Sequence, residues 1–170
     1  YGPTHSQSFE GLLLNVPNLT ICCPSNPADA AGLLLGAYDA ATTVIMVEHK
    51  TLYARQGPVA EHLEPVPLGQ GARLRSGSDI SLIAYGRHVP AALQAAEILA
   101  AEEVQADVID LRTVKPLDAS LILDSLSNTG RGMSIEESPV IGGVGAEISA
   151  VIMASAFEYL EAPFARLGVR

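Results

Sequence analysis

The chain has 170 residues, of which 48% are hydrophobic and 17% charged, with a formal net charge of −9. That size and apolar content suit one ordinary domain or two small ones and exclude global disorder. An acidic chain without Trp and with 5% aromatics is a poor match for a phosphate-backbone or base-stacking surface, and its longest apolar stretch, Ala30 to Ala37, is too short to span a bilayer, so neither nucleic acid nor membrane is expected as a partner.

The opening residues, Tyr1-Gly2-Pro3-Thr4-His5-Ser6-Gln7-Ser8, read as the middle of a longer chain rather than as a start or a secretory leader. A short helix is expected from Phe9 to Leu14. Leu19 to Cys23 is a β-branched and apolar run, expected as a buried strand. Pro24-Ser25-Asn26-Pro27 then stops the strand and starts a helix, with Ser25 as the expected cap and Pro27 in the first turn. Ala28 to Ala40 holds good helix formers, and Thr43 to Glu48 reads as a second buried strand. Strand, helix and strand within about thirty residues make a parallel crossover unit.

Gln56 to Ser78 breaks this rhythm with Gly57, Pro58, Pro65, Pro67, Gly69, Gly71 and Gly77. It reads as a linker, which divides the chain into residues 1–60, a linker at 61–77, and residues 78–170. Alternation then resumes. Strands are expected at Asp79 to Tyr85, Ala106 to Leu111, Gly132 to Glu136 and Phe164 to Val169. Helices are expected at Pro90 to Glu102, from Asp118 as cap through Leu121, Ile122 and Leu126, and from Gly142 to about Leu160. The pattern predicts an α/β fold of mostly parallel open sheets with flanking helices.

Few catalytic templates fit. There is no nucleophile elbow, no phosphate-binding P-loop and no His-Glu-x-x-His or Cys-x-x-Cys spacing. Cys22 and Cys23 are strand neighbours facing opposite ways, so two buried thiols in a reducing compartment are expected rather than a disulfide or a nucleophile. Gly142-Gly143-Val144-Gly145 opens a helix and suits either a phosphate seat or a tight strand-to-helix turn. Glu136-Glu137 is a paired carboxylate at a strand end, where open sheets bind ligands, or a solvated, capping pair. Arg112, Lys115 and Asp118 flank Pro116 as a salt-bridged turn or an anion contact. His5 stands in a polar loop before a helix start, where an imidazole with a lowered pKa could donate or accept a proton near neutral pH, so it is the candidate catalytic residue. His49, His62 and His88 are expected in surface or loop roles.

Several segments taken together resemble one family. Thr4-His5-Ser6-Gln7-Ser8, Val16-Pro17-Asn18-Leu19, Pro24-Ser25, Glu48-His49-Lys50 with Leu52-Tyr53, and Val66-Pro67-Leu68-Gly69 form its first part. Val108 to Asp118, Thr129-Gly130-Arg131, Glu136 to Pro139, Gly142 to Ile148 and Glu161-Ala162-Pro163 form the rest. In that order they resemble the β subunit of thiamine-dependent 2-oxo acid dehydrogenases, over essentially the whole chain. The resemblance implies the second half of a transketolase-like pyrimidine-binding domain in residues 1–60. It implies a transketolase C-terminal-like domain, lacking its last residues, in 78–170.

In such enzymes a pyruvate, branched-chain or acetoin-type substrate is processed with thiamine diphosphate and Mg2+. The acyl group then passes to lipoyl groups. The resemblance therefore implies an α subunit, a dihydrolipoyl acyltransferase core and a second β subunit as partners, in the cytoplasm or, in a eukaryote, the mitochondrial matrix. It places His5 beside the active site and assigns no cofactor-binding residue within this chain. The glutamate that contacts the aminopyrimidine belongs upstream, and the diphosphate and Mg2+ belong mainly to the α subunit. A potassium site of the family takes an acidic residue where Ala40 stands here, one position after Asp39. Two other readings stay open: a non-catalytic assembly module and a transketolase half.

Overall fold

The computed structural model describes residues 7–169. A single helical turn, α1 (Glu10–Leu13), leads into β1 (Leu19–Cys22), α2 (Pro27–Tyr38) and β2 (Thr43–Met46). β1 and β2 pair in parallel, as the crossover pattern predicts. The cap of α2 is Asn26 rather than the expected Ser25. The Asn26 side chain accepts from the Asp29 N–H at 2.9 Å, whereas the Ser25 hydroxyl points away, to Asp110. Both residue types can cap, and Ser25 is withdrawn from the helix by its buried carboxylate partner.

The Gly- and Pro-rich stretch after Arg55 contains a strand where only linker is expected: β3 (Ala72–Arg75). β4 (Ile80–Ala84), α3 (His88–Ala101), β5 (Ala106–Asp110), β6 (Thr113–Lys115), α4 (Ala119–Thr129), β7 (Gly132–Pro139), α5 (Val144–Ser155) and β8 (Ala165–Val169) follow. The five-stranded sheet has the order β3-β5-β4-β7-β8, parallel except for β3, which runs antiparallel along the edge of β5. Asp118 caps α4 as expected, accepting from the Leu121 N–H at 3.1 Å. The last helix is shorter than the sequence predicts, ending at Ser155 before a separate 3-10 turn at Phe157–Tyr159.

β6 is the second unforeseen strand. Three residues, bounded by Pro116, are too few to show a pattern. It leaves the end of β5, runs antiparallel to β1 and completes the sheet β2-β1-β6. The C-terminal part of the chain thereby supplies a strand to the N-terminal sheet.

Strand parity sorts the core into two layers. Ile83, Ile109 and Leu111 face α4 and α5 and meet Leu19, Ile21 and Cys23 from β1 and the residue after it, with Ile122, Leu126, Ile148 and Ile152 closing the layer. Leu82, Ala84, Val108 and Ile135 face the other way, beneath Val89, Ala92 and Ala96 of α3. The first layer spans both sheets, so the two lobes share one hydrophobic core.

Candidate functional site

A cavity of about 470 Å³ opens where the two sheets meet. Its walls come from segments that leave the C-terminal ends of strands: Cys23 after β1, Val47 to Lys50 after β2, and Tyr85 to His88 after β4. The turn α1 and the residues before it, from Gln7, close one side. This is where parallel α/β sheets bind ligands, because neighbouring crossovers leave a crevice beyond the strand ends. The volume lies within the usual range for small-ligand sites.

Glu137 organises the polar end. Its Oε2 lies 3.2 Å from His49 Nε2 and 3.1 Å from Arg87 Nε. His49 is set for this contact by a local turn: its Nδ1 accepts from the Thr51 N–H at 3.2 Å and lies 2.7 Å from the Thr51 hydroxyl. His88 also lines the cavity, and its buried Nε2 has no hydrogen-bond partner. Burial, and next the neighbouring Arg87, hold the His88 imidazole below its ordinary pKa, so it is neutral at pH 7 with a nitrogen free to accept or donate.

The apparent carboxylate pair at Glu136 and Glu137 is divided by the strand. Adjacent residues of β7 face opposite ways, and only Glu137 lines the cavity. Glu136 is buried and accepts from the Gly145 N–H at 2.8 Å, at the start of α5. A Cβ on Gly143 would come within 2.8 Å of Glu136 Oε2, and one on Gly145 within 2.5 Å of Oε1. The glycine run is therefore a close seat for the protein's own carboxylate, which occupies the position a phosphate would take.

Arg112, Lys115 and Asp118 do not form the expected salt-bridged turn. Arg112 pairs with the buried Asp29 at 2.6 Å, the Lys115 ammonium donates to the carbonyls of Leu14 and Val16, and Asp118 accepts from Gly71 N–H as well as capping α4. Each contact joins a different pair of elements, which is why one local turn cannot hold all three. Both cysteines are free and buried, and burial pushes both thiols up, Cys23 the further. That agrees with inert thiols.

His62 stands exposed, away from the cavity. Asp39 sits at the C-terminal end of α2. His5 lies outside the described residues, although Gln7 and Ser8, two and three positions later, line the cavity. His49 and His88, expected in surface or loop roles, are the histidines that converge there. The signal that could have found them is position: each lies within four residues of the C-terminal end of a parallel strand. Among the described residues, no three His, Cys, Asp or Glu side chains converge in a way that could hold a metal ion, and no helix is long and apolar enough to cross a membrane.

Replacing Glu137 by Gln is expected to change stability by less than about 1 kcal/mol, because all three members of the cluster are part-exposed. Urea unfolding of the variant checks this. A larger loss would mean that the cluster is structural rather than poised for a ligand.

Comparison with known proteins places the chain. Residues 69–170 match the family model described as transketolase, C-terminal domain, and residues 1–56 the model described as transketolase, pyrimidine binding domain. The chain is 39% identical over 159 residues to the pyruvate dehydrogenase E1 component subunit beta of Rickettsia felis, covering 94% of this chain and 49% of that protein. It is 40% identical over 158 residues to the acetoin:2,6-dichlorophenolindophenol oxidoreductase subunit beta of Cupriavidus necator, covering 93% and 47%. A mitochondrial pyruvate dehydrogenase E1 subunit beta from Dictyostelium discoideum is 38% identical over 170 residues, covering 98% and 48%. The chain thus spans about half the length of these relatives. A solved structure titled "Split gene transketolase, inactive beta4 tetramer" superposes with a TM-score of 0.79 at 26% identity, covering 95% of this chain and 52% of that one. With its α/β lobes, its cavity at the strand ends and these matches, the chain belongs to the transketolase family, joining a pyrimidine-binding segment to the C-terminal domain.

Proposed function

We propose that this chain is part of the β subunit of a thiamine diphosphate-dependent 2-oxo acid dehydrogenase, and that its cavity forms one wall of the active site. The observation that carries this reading is the cavity itself. It lies between the two matched segments, and residues from both build its polar end. The likeness to pyruvate and acetoin enzyme β subunits over more than nine-tenths of the chain supports the substrate class.

The described residues do not fit the cofactor's charged end. No three-ligand metal cluster is present among them, and the helix start that could seat a phosphate holds Glu136. As the family resemblance implies, the diphosphate and Mg2+ are assigned mainly to an α subunit and the aminopyrimidine contact to a glutamate outside the described residues. What these residues supply is the substrate side. Arg87, held by Glu137, offers a cationic donor toward a carboxylate or carbonyl, His49 lies beside it on the same carboxylate, and neutral His88 offers a proton acceptor next to them. His5 is proposed to join this group, positioning substrate or lipoyl group and handling protons.

The remaining partners are a second β subunit and a dihydrolipoyl acyltransferase that receives the acyl group, in the cytoplasm or mitochondrial matrix. The test is reconstitution of the full-length protein with its α subunit, following pyruvate- and acetoin-dependent dye reduction. Turnover is expected only from the mixed assembly, and His5→Ala and His49→Ala are each expected to lower it about a hundredfold. Assembly without turnover on any 2-oxo acid would overturn the enzymatic reading and leave a structural subunit.

A further inference from the structure

Behind the cavity lies a chain of polar groups that the proposed substrate contacts do not use. Glu10 lines the cavity but is only 6% exposed, and Glu136, deeper, is 4% exposed. Two buried hydroxyls join them. The Tyr85 hydroxyl lies 3.3 Å from Glu136 Oε2 and 3.2 Å from Ser138 Oγ, and Ser138 Oγ lies 3.3 Å from Glu10 Oε2. The Ser8 hydroxyl also donates to Glu10.

We propose that Glu136, Tyr85, Ser138 and Glu10 form a proton relay that stores one proton in the interior and presents it at the cavity wall. Tyr85 carries one hydrogen but has two acceptors in reach, so the chain has two arrangements. In one, protonated Glu136 donates to Tyr85, Tyr85 to Ser138, and Ser138 to ionised Glu10. In the other, every hydrogen has moved one place. The Glu136 proton has gone to the Tyr85 oxygen, the Tyr85 proton to Ser138 and the Ser138 proton to Glu10. One proton moves in net, no electrons are exchanged, and every group stays hydrogen-bonded throughout.

The surroundings favour sharing one proton over two full charges. Facing Glu136 are the Gly145 and Val144 N–H groups of α5, Tyr85 from the end of β4, and Arg166 of β8 at longer range. Facing Tyr85 are Glu10, Glu136, Ser138 and the Cys23 thiol. Burial is the largest influence on Glu136 and pushes its carboxyl above the ordinary value despite those donors. Burial likewise keeps the Tyr85 phenol protonated. Three contacts link the four groups while the two hydroxyls carry two hydrogens, so one further proton leaves every contact with a hydrogen.

That the relay serves catalysis rests on the proposed function; the shared proton does not. Two measurements therefore separate them. The first is infrared spectroscopy of the full-length protein at about pH 7.5, in an Asp110→Asn background that removes another buried carboxyl with a raised pKa. One protonated-carboxyl C=O stretch is expected, and it should vanish in Glu136→Gln, whose amide oxygen still accepts from Gly145. If that variant does not fold, Tyr85→Phe replaces it and should shift the band by cutting the chain. Absence of the band, or a band indifferent to the substitution made, overturns the relay. The second measurement is turnover of the reconstituted assembly. Tyr85→Phe is expected to lower kcat about a hundredfold and flatten its pH profile while KM stays unchanged. A retained profile overturns the catalytic role, and a wild-type assembly without turnover counts against the proposed function while the infrared result stands.

Discussion

Replacing Arg73 by Met is expected to lower the free energy of unfolding by about 3 kcal/mol, measured by urea titration. Asp107 of β5 is 1% exposed, and its ionic partner is the guanidinium of Arg73, whose Nε lies 3.1 Å from both carboxylate oxygens. The Ser125 hydroxyl donates to the same carboxylate at 2.5 Å and is itself bonded to Ser81. A hydroxyl satisfies a lone pair but does not neutralise a charge, so removing Arg73 strands an anion between β5 and α4. The further contact from Arg73 to exposed Asp124 contributes little by comparison. The cause can be isolated with Arg73→Met/Asp107→Asn, which should recover most of the loss. If the double variant is as unstable as the single, packing of the arginine stem, not the charge, is responsible.

The second large effect depends on pH. Burial, its largest influence, lifts the Asp110 carboxyl from an ordinary 3.8 to about 6 in the fold, although the Ser25 hydroxyl at 2.5 Å and the Arg112 N–H at 2.9 Å both donate to it. The folded state therefore holds this proton more tightly than the unfolded state. Its contribution to stability is complete below about pH 4 and is lost as pH rises to about 6, a change of about 3 kcal/mol. Asp110→Asn keeps both hydrogen bonds, since its oxygen accepts from Arg112 and its amide donates to Ser25. The difference in stability between wild type and variant should therefore move by about that amount, against the wild type, from pH 4 to pH 7. A constant difference across the range would show that Asp110 stays ionised.

The regular elements were legible because their signals are local. Apolar runs at Leu19, Thr43, Ile80 and Ala106 became strands, and Asp118 capped its helix. What escaped was set by partners distant in the chain. β3 forms because β5 offers it an edge, inside a stretch whose glycines and prolines read as linker. Ser25 would have capped α2 had Asp110, 85 positions away, not claimed its hydroxyl. The adjacent glutamates look like one acidic pair until strand parity sends Glu136 to α5 and Glu137 to His49 and Arg87. The site was only partly readable for the same reason. His49 and His88 are 39 positions apart and share a cavity only because β2 and β4 end on the same side.

The strand β6 makes the two lobes mutually dependent. It is covalently continuous with the second lobe and hydrogen-bonded into the sheet of the first, and the Arg112–Asp29 and Ser25–Asp110 contacts lie beside it. A peptide-bond cut in residues 56–68 would therefore leave two fragments still laced together through β1 and β6. Such a nicked protein should migrate as one particle and melt in one step. At the level of the gene, a break at that point could be tolerated, because the halves carry the means to find each other.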